Sequence, residues 1–424
     1  MRLTRTGVYG AAGICGVVAY FLLLILPKAG ERIDWRESPD LTLYQTLGAA
    51  LFILLNFAWT RSGVVRNDLL RLGTLTDKLL LAFFAFALFG GTLSVLPLRT
   101  VQYVIVTFLV FAAATHVWRI SDPWRHAAFG VLLLAINAFC YANLYVFGIG
   151  IGRYIGQMSP NHFADILITG LMCGYLSGWR ISRLFILPTY ACIFMVGSRG
   201  SFLSLTVFLL VFHGLRWLAK PLSRKVRLLY FGLALAGVTL AYTLYDNSWL
   251  GSDTLQSFVA WNDVGRDVAD LSGRVYLWDE ALRRVQENPL LGYGFRTSME
   301  LINSHNAYLN LATEVGVPAT LVFVFLVLYE LARKVRLSLR GEISDPVILD
   351  EARVTAAIIA AVLVNAIVEV HLVNVGFPLP LLFIIALCDR RYGLARKRRV
   401  ALRLGPSPGY LPPQPFAARA VAGR

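Results

Sequence analysis

The chain has 424 residues, of which 57% are hydrophobic and 15% charged, with a formal net charge of +15 and a mean hydropathy of +0.62. Soluble domains carry roughly 25% charged residues, so this composition excludes a disordered chain and argues against a soluble enzyme. The five cysteines (Cys15, Cys140, Cys173, Cys192, Cys388) all sit in apolar runs with no Cys-X-X-Cys pair, which leaves neither a disulfide framework nor a zinc site.

A bilayer core about 30 Å thick needs roughly 20 apolar residues per helix. In chain order the sequence predicts an all-α polytopic membrane protein with about twelve transmembrane helices. They fall at 8–27, 41–59, 79–97, 101–118, 127–147, 162–179, 182–196, 201–218, 228–245, 308–331, 354–373 and 376–388. The seventh and twelfth are short, and the twelfth carries Pro378 and Pro380. Arg2 and Arg5 give the first run the look of a signal peptide, yet no small-residue cleavage site follows, so it is kept as a helix. The expected organisation is nine helices over 1–245, a loop domain over 246–307, three helices over 308–388 and a basic tail over 389–424.

Twelve crossings put both termini on one side. If that side is cytoplasmic, its loops and tails hold 29 of the 40 Lys and Arg; the other side holds 11, of which 5 lie in the long loop. Long loops weigh little in the positive-inside rule, so the comparison is 29 against 6 and the orientation is set. The run from Arg390 to Arg399 then reads as an anchor to anionic lipid rather than a nucleic-acid surface.

Polar residues cluster at the outer ends of three spans. His162, Asp165 and Thr169 follow i, i+3, i+7 in the sixth; Asn306, Asn310 and Glu314 follow i, i+4, i+8 in the tenth; Asn365 and Glu369 are i, i+4 in the eleventh, with His371 and Asn374 beyond. Each stripe taken singly can simply glue helices together. Their common depth favours a chamber open to the outside, with ionisable groups inside spans as functional candidates.

The loop shows one amphipathic helix. Asp270 to Gly273 offer helix-start chemistry, Val275, Trp278, Leu282 and Val285 recur at helical spacing, and Asn288-Pro289 with Gly292-Tyr293-Gly294 stop it. Arg274 lies in its first turn, where an anion is favoured; Arg283 and Arg284 read as solvated or lipid-facing. Arg199 stands in the turn Gly197-Ser198-Arg199-Gly200-Ser201, where it either snorkels to lipid phosphate or binds ligand phosphate bidentately. His305 follows Asn303-Ser304, read as a helix cap; a histidine at a helix start is biased to the neutral form, which can accept a hydroxyl proton near pH 7. A lone interfacial histidine is otherwise structural.

These pieces carry a resemblance. Gly197-Ser198-Arg199-Gly200-Ser201, then Ser272-Gly273-Arg274 with Trp278, then Asn288-Pro289-Leu290-Leu291-Gly292-Tyr293-Gly294, then Ser304-His305-Asn306-Ala307-Tyr308 leading to Glu314-Val315-Gly316 resemble, over about 197–317, the O-antigen ligase and polymerase superfamily. The resemblance implies a glycosyltransferase of GT-C-like helical fold at the periplasmic face of the Gram-negative inner membrane. Its donor would be a glycan on undecaprenyl diphosphate and, for a ligase, its acceptor a sugar hydroxyl of lipid A–core. It implies His305 as the catalytic base and Arg199 and Arg274 on the donor diphosphate, with Arg266 a further loop arginine. Asn306, Glu314, Asp165 and His162 are possible supports. No Asp-X-Asp cluster or Walker loop is present in the outer loops, so transfer without metal, cofactor or nucleotide is expected. The alternatives are an O-antigen polymerase with a second lipid-linked glycan as acceptor, transfer to a protein hydroxyl, and a lipid-glycan flippase or proton-coupled transporter using Asp165, Glu314, Glu369 and the histidines as a relay.

Overall fold

A computed structural model describes residues 5–26, 46–56, 73–149, 155, 158–219, 274–297, 303–340, 343, 345–369, 372–389 and 391. Among them no strand forms, only a single bridge between Ile155 and Met158. The helices are α1 (Arg5–Ile25), α2 (Thr46–Asn56), α3 (Leu75–Thr92), α4 (Pro97–Val117), α5 (Asp122–Phe147) and α6 (Pro160–Leu176). They continue as α7 (Ile186–Val196), α8 (Arg199–Leu218), α9 (Arg274–Glu287), α10 (Ala307–Arg340), α11 (Pro346–Asn365) and α12 (Pro378–Leu387). Of the described helices, α3, α4, α5, α8 and α10 are long and apolar enough to cross a membrane. The described residues are all-helical, and the length and composition of these five helices are those of a multi-pass membrane protein. The expected span 228–245, Arg266, His371 and nearly all of the tail lie outside the described residues.

Local chemistry moves several boundaries. The third helix begins at Leu75 because Thr74 and Asp77 form a capping box, and it ends at Thr92 because Pro97 opens the next helix. The expected seventh span is split into a 3-10 turn, Arg180–Phe185, and α7. Asp345 starts α11 early by accepting from Val347 N at 2.9 Å and Ile348 N at 3.4 Å. That helix stops at Asn365, so Glu369 lies in the turn beyond it rather than on it.

The centre of the bundle is α6, α11 and α12. Every residue of α6 from Phe163 to Leu176 is buried, as is all of α12. Gly170 and Gly174 admit Ile136 and Leu133 of α5 so closely that a Cβ at either position would overlap them, the small-residue contact by which membrane helices approach. Leu184, Leu187 and Leu210 by contrast are exposed on the outside of the bundle, a face suited to lipid rather than water.

The end of the bundle that holds the starts of α5 and α11 is held by buried charge. Glu351 Oε1 accepts from Arg125 Nη2 at 2.6 Å and Nε at 3.2 Å, and Glu351 Oε2 from Arg391 Nη1 at 2.5 Å. Both guanidiniums lie over the Trp118 ring, at 5.3 and 4.5 Å, and Trp118 Nε1 donates to Ile385 O at 2.6 Å. Helices α4, α5, α11 and α12 therefore share one knot.

At the opposite end α10 is broken. Gly316 has φ 80 and ψ 166, followed by Pro318. The loop after α9 crosses this break: Tyr293 N donates to Thr313 O at 2.9 Å, Gly294 N to Glu314 O at 2.8 Å, and Val317 N to Pro289 O at 2.8 Å. The carbonyls and amide freed by the break are thus satisfied by the loop. A Cβ on Gly316 would overlap the Leu290 carbonyl and would meet a φ that L-residues avoid. Gly316→Ala is expected to cost more than about 1 kcal/mol, read as a lower melting temperature of the purified protein in detergent; an unchanged melt would refute the role given to this break.

Candidate functional site

Three helix starts gather at that second end. Ser159 caps α6, its side chain accepting from His162 N at 3.4 Å. Gly197 ends α7 in the left-handed region (φ 65, ψ 33), which lets the chain reverse through extended Ser198 and enter α8 at Arg199. Asn306 caps α10, its Oδ1 accepting from Tyr308 N at 3.0 Å and Leu309 N at 3.1 Å. Asn303 and Ser304, expected as the cap, instead build the turn before it. Asn303 Oδ1 accepts from His305 N at 3.1 Å, and Ser304 Oγ donates to Asn310 Oδ1 at 2.6 Å. The start of α10 is fixed to the end of α11 through Ala307 N to Ala366 O at 2.8 Å and Tyr308 OH to Leu363 O at 2.7 Å. Converging helix N-termini favour an anion.

A chain of hydrogen bonds joins these starts. Asn365 Nδ2 donates to Asp165 Oδ1 at 3.1 Å, and Ser201 Oγ donates to the same oxygen at 2.8 Å. Ser198 Oγ lies 2.8 Å from Ser201 Oγ and 2.9 Å from Asn161 Oδ1. Asn161 Nδ2 in turn donates to Glu369 Oε1 at 2.5 Å, and Arg274 Nη2 stands 3.5 Å from that same oxygen. The carboxylates of Asp165 and Glu369 are thus held at the two ends of one amide and hydroxyl relay. Asp165 and Asn365 do glue their helices, while the relay continues outward to a partly exposed arginine. Asn161 was given no role by the sequence and Ser198 only a place in the Arg199 turn; Glu369 was marked as a chamber residue by its i, i+4 spacing from Asn365 and as a relay member only in the transporter alternative.

Helix α9 delivers Arg274 and shields His305. Trp278 Nε1 donates to Ser304 O at 2.9 Å, and Ala281 is buried. The inward face is not the expected one: Val275 and Leu282 are exposed, because the face carrying Trp278, Ala281 and Val285 meets α10. His305 itself is outside the helix, with φ 50. Its Nδ1 is buried with no hydrogen-bond partner. Burial, and secondly the positive charge of Arg274, push the imidazole below the usual histidine range. The neutral form is favoured by these two causes rather than by the start of a helix.

The remaining candidates take distinct places. Arg199 is the exposed first residue of α8. The backbone beside it, at Gly200, is packed so closely on Val368 that a Cβ would overlap, so this turn backs onto the segment carrying Glu369. His162 meets the Phe377 ring at 4.8 Å in a tilted contact, 42° between planes. Asn306 is used in capping, and Glu314 is buried two residues before the Gly316 break, its carbonyl holding Gly294 N. Arg266 lies outside the described residues.

A comparison with curated proteins returned no match. Residues 183–324, which include Arg199, Arg274, His305 and Glu314 but not Asp165 or Glu369, match the family model described as O-Antigen ligase, and over that stretch the chain is similar to that family.

Proposed function

We propose that this end of the bundle is the active site of an inverting glycosyltransferase, an O-antigen ligase that works without metal or nucleotide. The donor is a glycan on undecaprenyl diphosphate and the acceptor a sugar hydroxyl of lipid A–core. The fold would have twelve crossings of GT-C kind in the inner membrane of a Gram-negative cell, with a periplasmic site and cytoplasmic termini. The observation that carries the reading is His305, its Nδ1 buried without a partner and its pKa lowered by burial and by Arg274, beside the Arg274–Glu369 pair, with His305 and Arg274 both inside the family-matched stretch.

In this reading His305 takes the proton from the acceptor hydroxyl as its oxygen attacks the anomeric carbon. The bond from that carbon to the diphosphate oxygen breaks, and the negative charge left on the diphosphate is met by Arg199 and Arg274. Arg266 would add a further positive charge against it. Glu369 and Asn161 orient Arg274, and the Asp165 relay holds the α8 turn that presents Arg199. Glu314, Asn306 and His162 serve the architecture around the site.

Deleting the gene in its host and running the lipopolysaccharide on a gel tests this. Loss of the whole ladder, with long chains accumulating on undecaprenyl diphosphate and rescue by the wild-type gene, is the expected result. A core bearing a single repeat unit would mean an O-antigen polymerase, and an unchanged ladder would remove both readings. The pH profile gives a second check. Because His305 must be neutral to accept a proton and its folded value is lowered, activity should hold through pH 7 and fall only below the usual histidine value of about 6.5, roughly tenfold per unit. An acid limb centred above 7 would contradict His305 as the base.

A further inference from the structure

A second site lies at the same end of the bundle and shares none of these residues. An open cavity of about 800 Å³ is lined by α1, α2, the start of α4, the 373–376 segment and Arg296. Its size suits a small amphiphile. One side is apolar, formed by Ala49, Ile53 and Val106. The other brings together Arg99, from the first turn of α4, and Arg296, from the loop after α9, each 5.7 Å from the centre of the Tyr103 ring.

The placing of Arg296 is built in. It has φ 68, a left-handed conformation that persists only where the surroundings over-determine it. They do so here: Phe295 is buried edge-on to Phe83, and Thr297 is buried with its Oγ1 bonded to Gly294 O at 2.6 Å. Gly294 packs on Ser94 with no room for a Cβ. Both flanks are pinned, and the residue between them is turned into the cavity. Among the described residues Arg296 has no carboxylate partner. Arg99 and Arg296 both border the Tyr103 side of the cavity, and guanidinium groups bind phosphate oxygens bidentately. The mouth is flanked by exposed Leu93, Val95 and Leu98, a lipid-facing rim rather than an aqueous one.

We propose that this cavity binds the phosphate of a membrane amphiphile, with the phosphate held by Arg99 and Arg296 and its hydrocarbon chain laid along Ala49, Ile53 and Val106. The site is independent of the glycosyl-transfer reading, since binding is measured without turnover. Two sources share the chemistry: a phosphorylated acyl lipid and a polyprenyl diphosphate.

The test is native mass spectrometry of the purified full-length protein in detergent. The probes are dioleoyl phosphatidic acid, undecaprenyl diphosphate, dioleoyl phosphatidylcholine and inorganic phosphate. Phosphatidic acid is expected to bind one-to-one, and Arg99→Gln and Arg296→Gln are each expected to weaken it at least tenfold while Arg274→Gln leaves it unchanged. Ile53→Trp, which fills the apolar side and leaves both arginines intact, should weaken it likewise. If undecaprenyl diphosphate rather than phosphatidic acid follows Arg296→Gln, the same site stands with the polyprenyl lipid as its occupant. Binding of both lipids unchanged in Arg99→Gln, Arg296→Gln and Ile53→Trp would overturn the proposal. So would inorganic phosphate binding as tightly as the lipids.

Discussion

Replacing His305 with alanine is expected to lower glycosyl transfer by roughly 10²–10⁴-fold while the protein still inserts and melts normally. The imidazole donates no side-chain hydrogen bond that holds the fold: its Nδ1 has no partner, and the structural bonds of this turn belong to its neighbours, Asn303, Ser304 and Asn306. Removing the ring takes away a proton acceptor and little packing. The substitution also tests the assignment of the base independently of the donor site. Arg274→Ala should weaken donor binding and slow departure of the diphosphate, whereas His305→Ala should leave donor binding intact and abolish the acid limb of the pH profile. Donor binding would be followed with a non-transferable lipid diphosphate, turnover with lipid A–core. Retention of near-normal transfer in His305→Ala would refute the base assignment outright.

The second large effect is structural and lies at the other end. Glu351→Ala should destabilise the bundle by roughly 1.5–3 kcal/mol, because it removes buried hydrogen bonds to charged groups. Two arginines share this one carboxylate: Arg125, which is 1% exposed and keeps Asp122, and Arg391, which keeps Asp389. They belong to α5 and to the residues after α12, and both stack on Trp118 of the helix boundary after α4. The melting temperature in detergent would drop sharply and the protein would become protease-sensitive. Arg125→Leu combined with Glu351→Leu should recover much of the loss, since an apolar pair of similar volume avoids the buried charge altogether. Equal melts for wild type and Glu351→Ala would show that the network carries no stability.

Much of this molecule was legible in its sequence, for stated reasons. Hydropathy locates spans because the bilayer demands about 20 apolar residues in succession, and the described helices α1 to α8 and α10 to α12 each fall on an expected span. Arg199, Arg274 and His305 stand out in the sequence by residue type and local turn chemistry, and the resemblance supplies the roles proposed for them. What escaped has a common cause: it depends on partners far apart in sequence. The bond from Asn161 to Glu369 joins residues 208 apart, and Arg99 meets Arg296 only through Tyr103. The rotation of α9 is decided by Trp278 reaching Ser304 O, not by the spacing of Val275 and Leu282. The cap at Asn306 was missed because Asn303, Ser304 and Asn306 are all good capping residues, and only the turn at His305 chooses among them.

The break at Gly316 blurs the line between loop and span. Residues 289–294 belong by sequence to an outer connection, yet they supply the hydrogen bonds that a continuous α10 would have made for itself. That stretch is therefore a structural part of the membrane helix rather than a cover laid over it. A chimaera that exchanges the outer loop between relatives must carry Pro289 to Gly294 and the Gly316 turn together, since either one alone leaves buried backbone groups without partners.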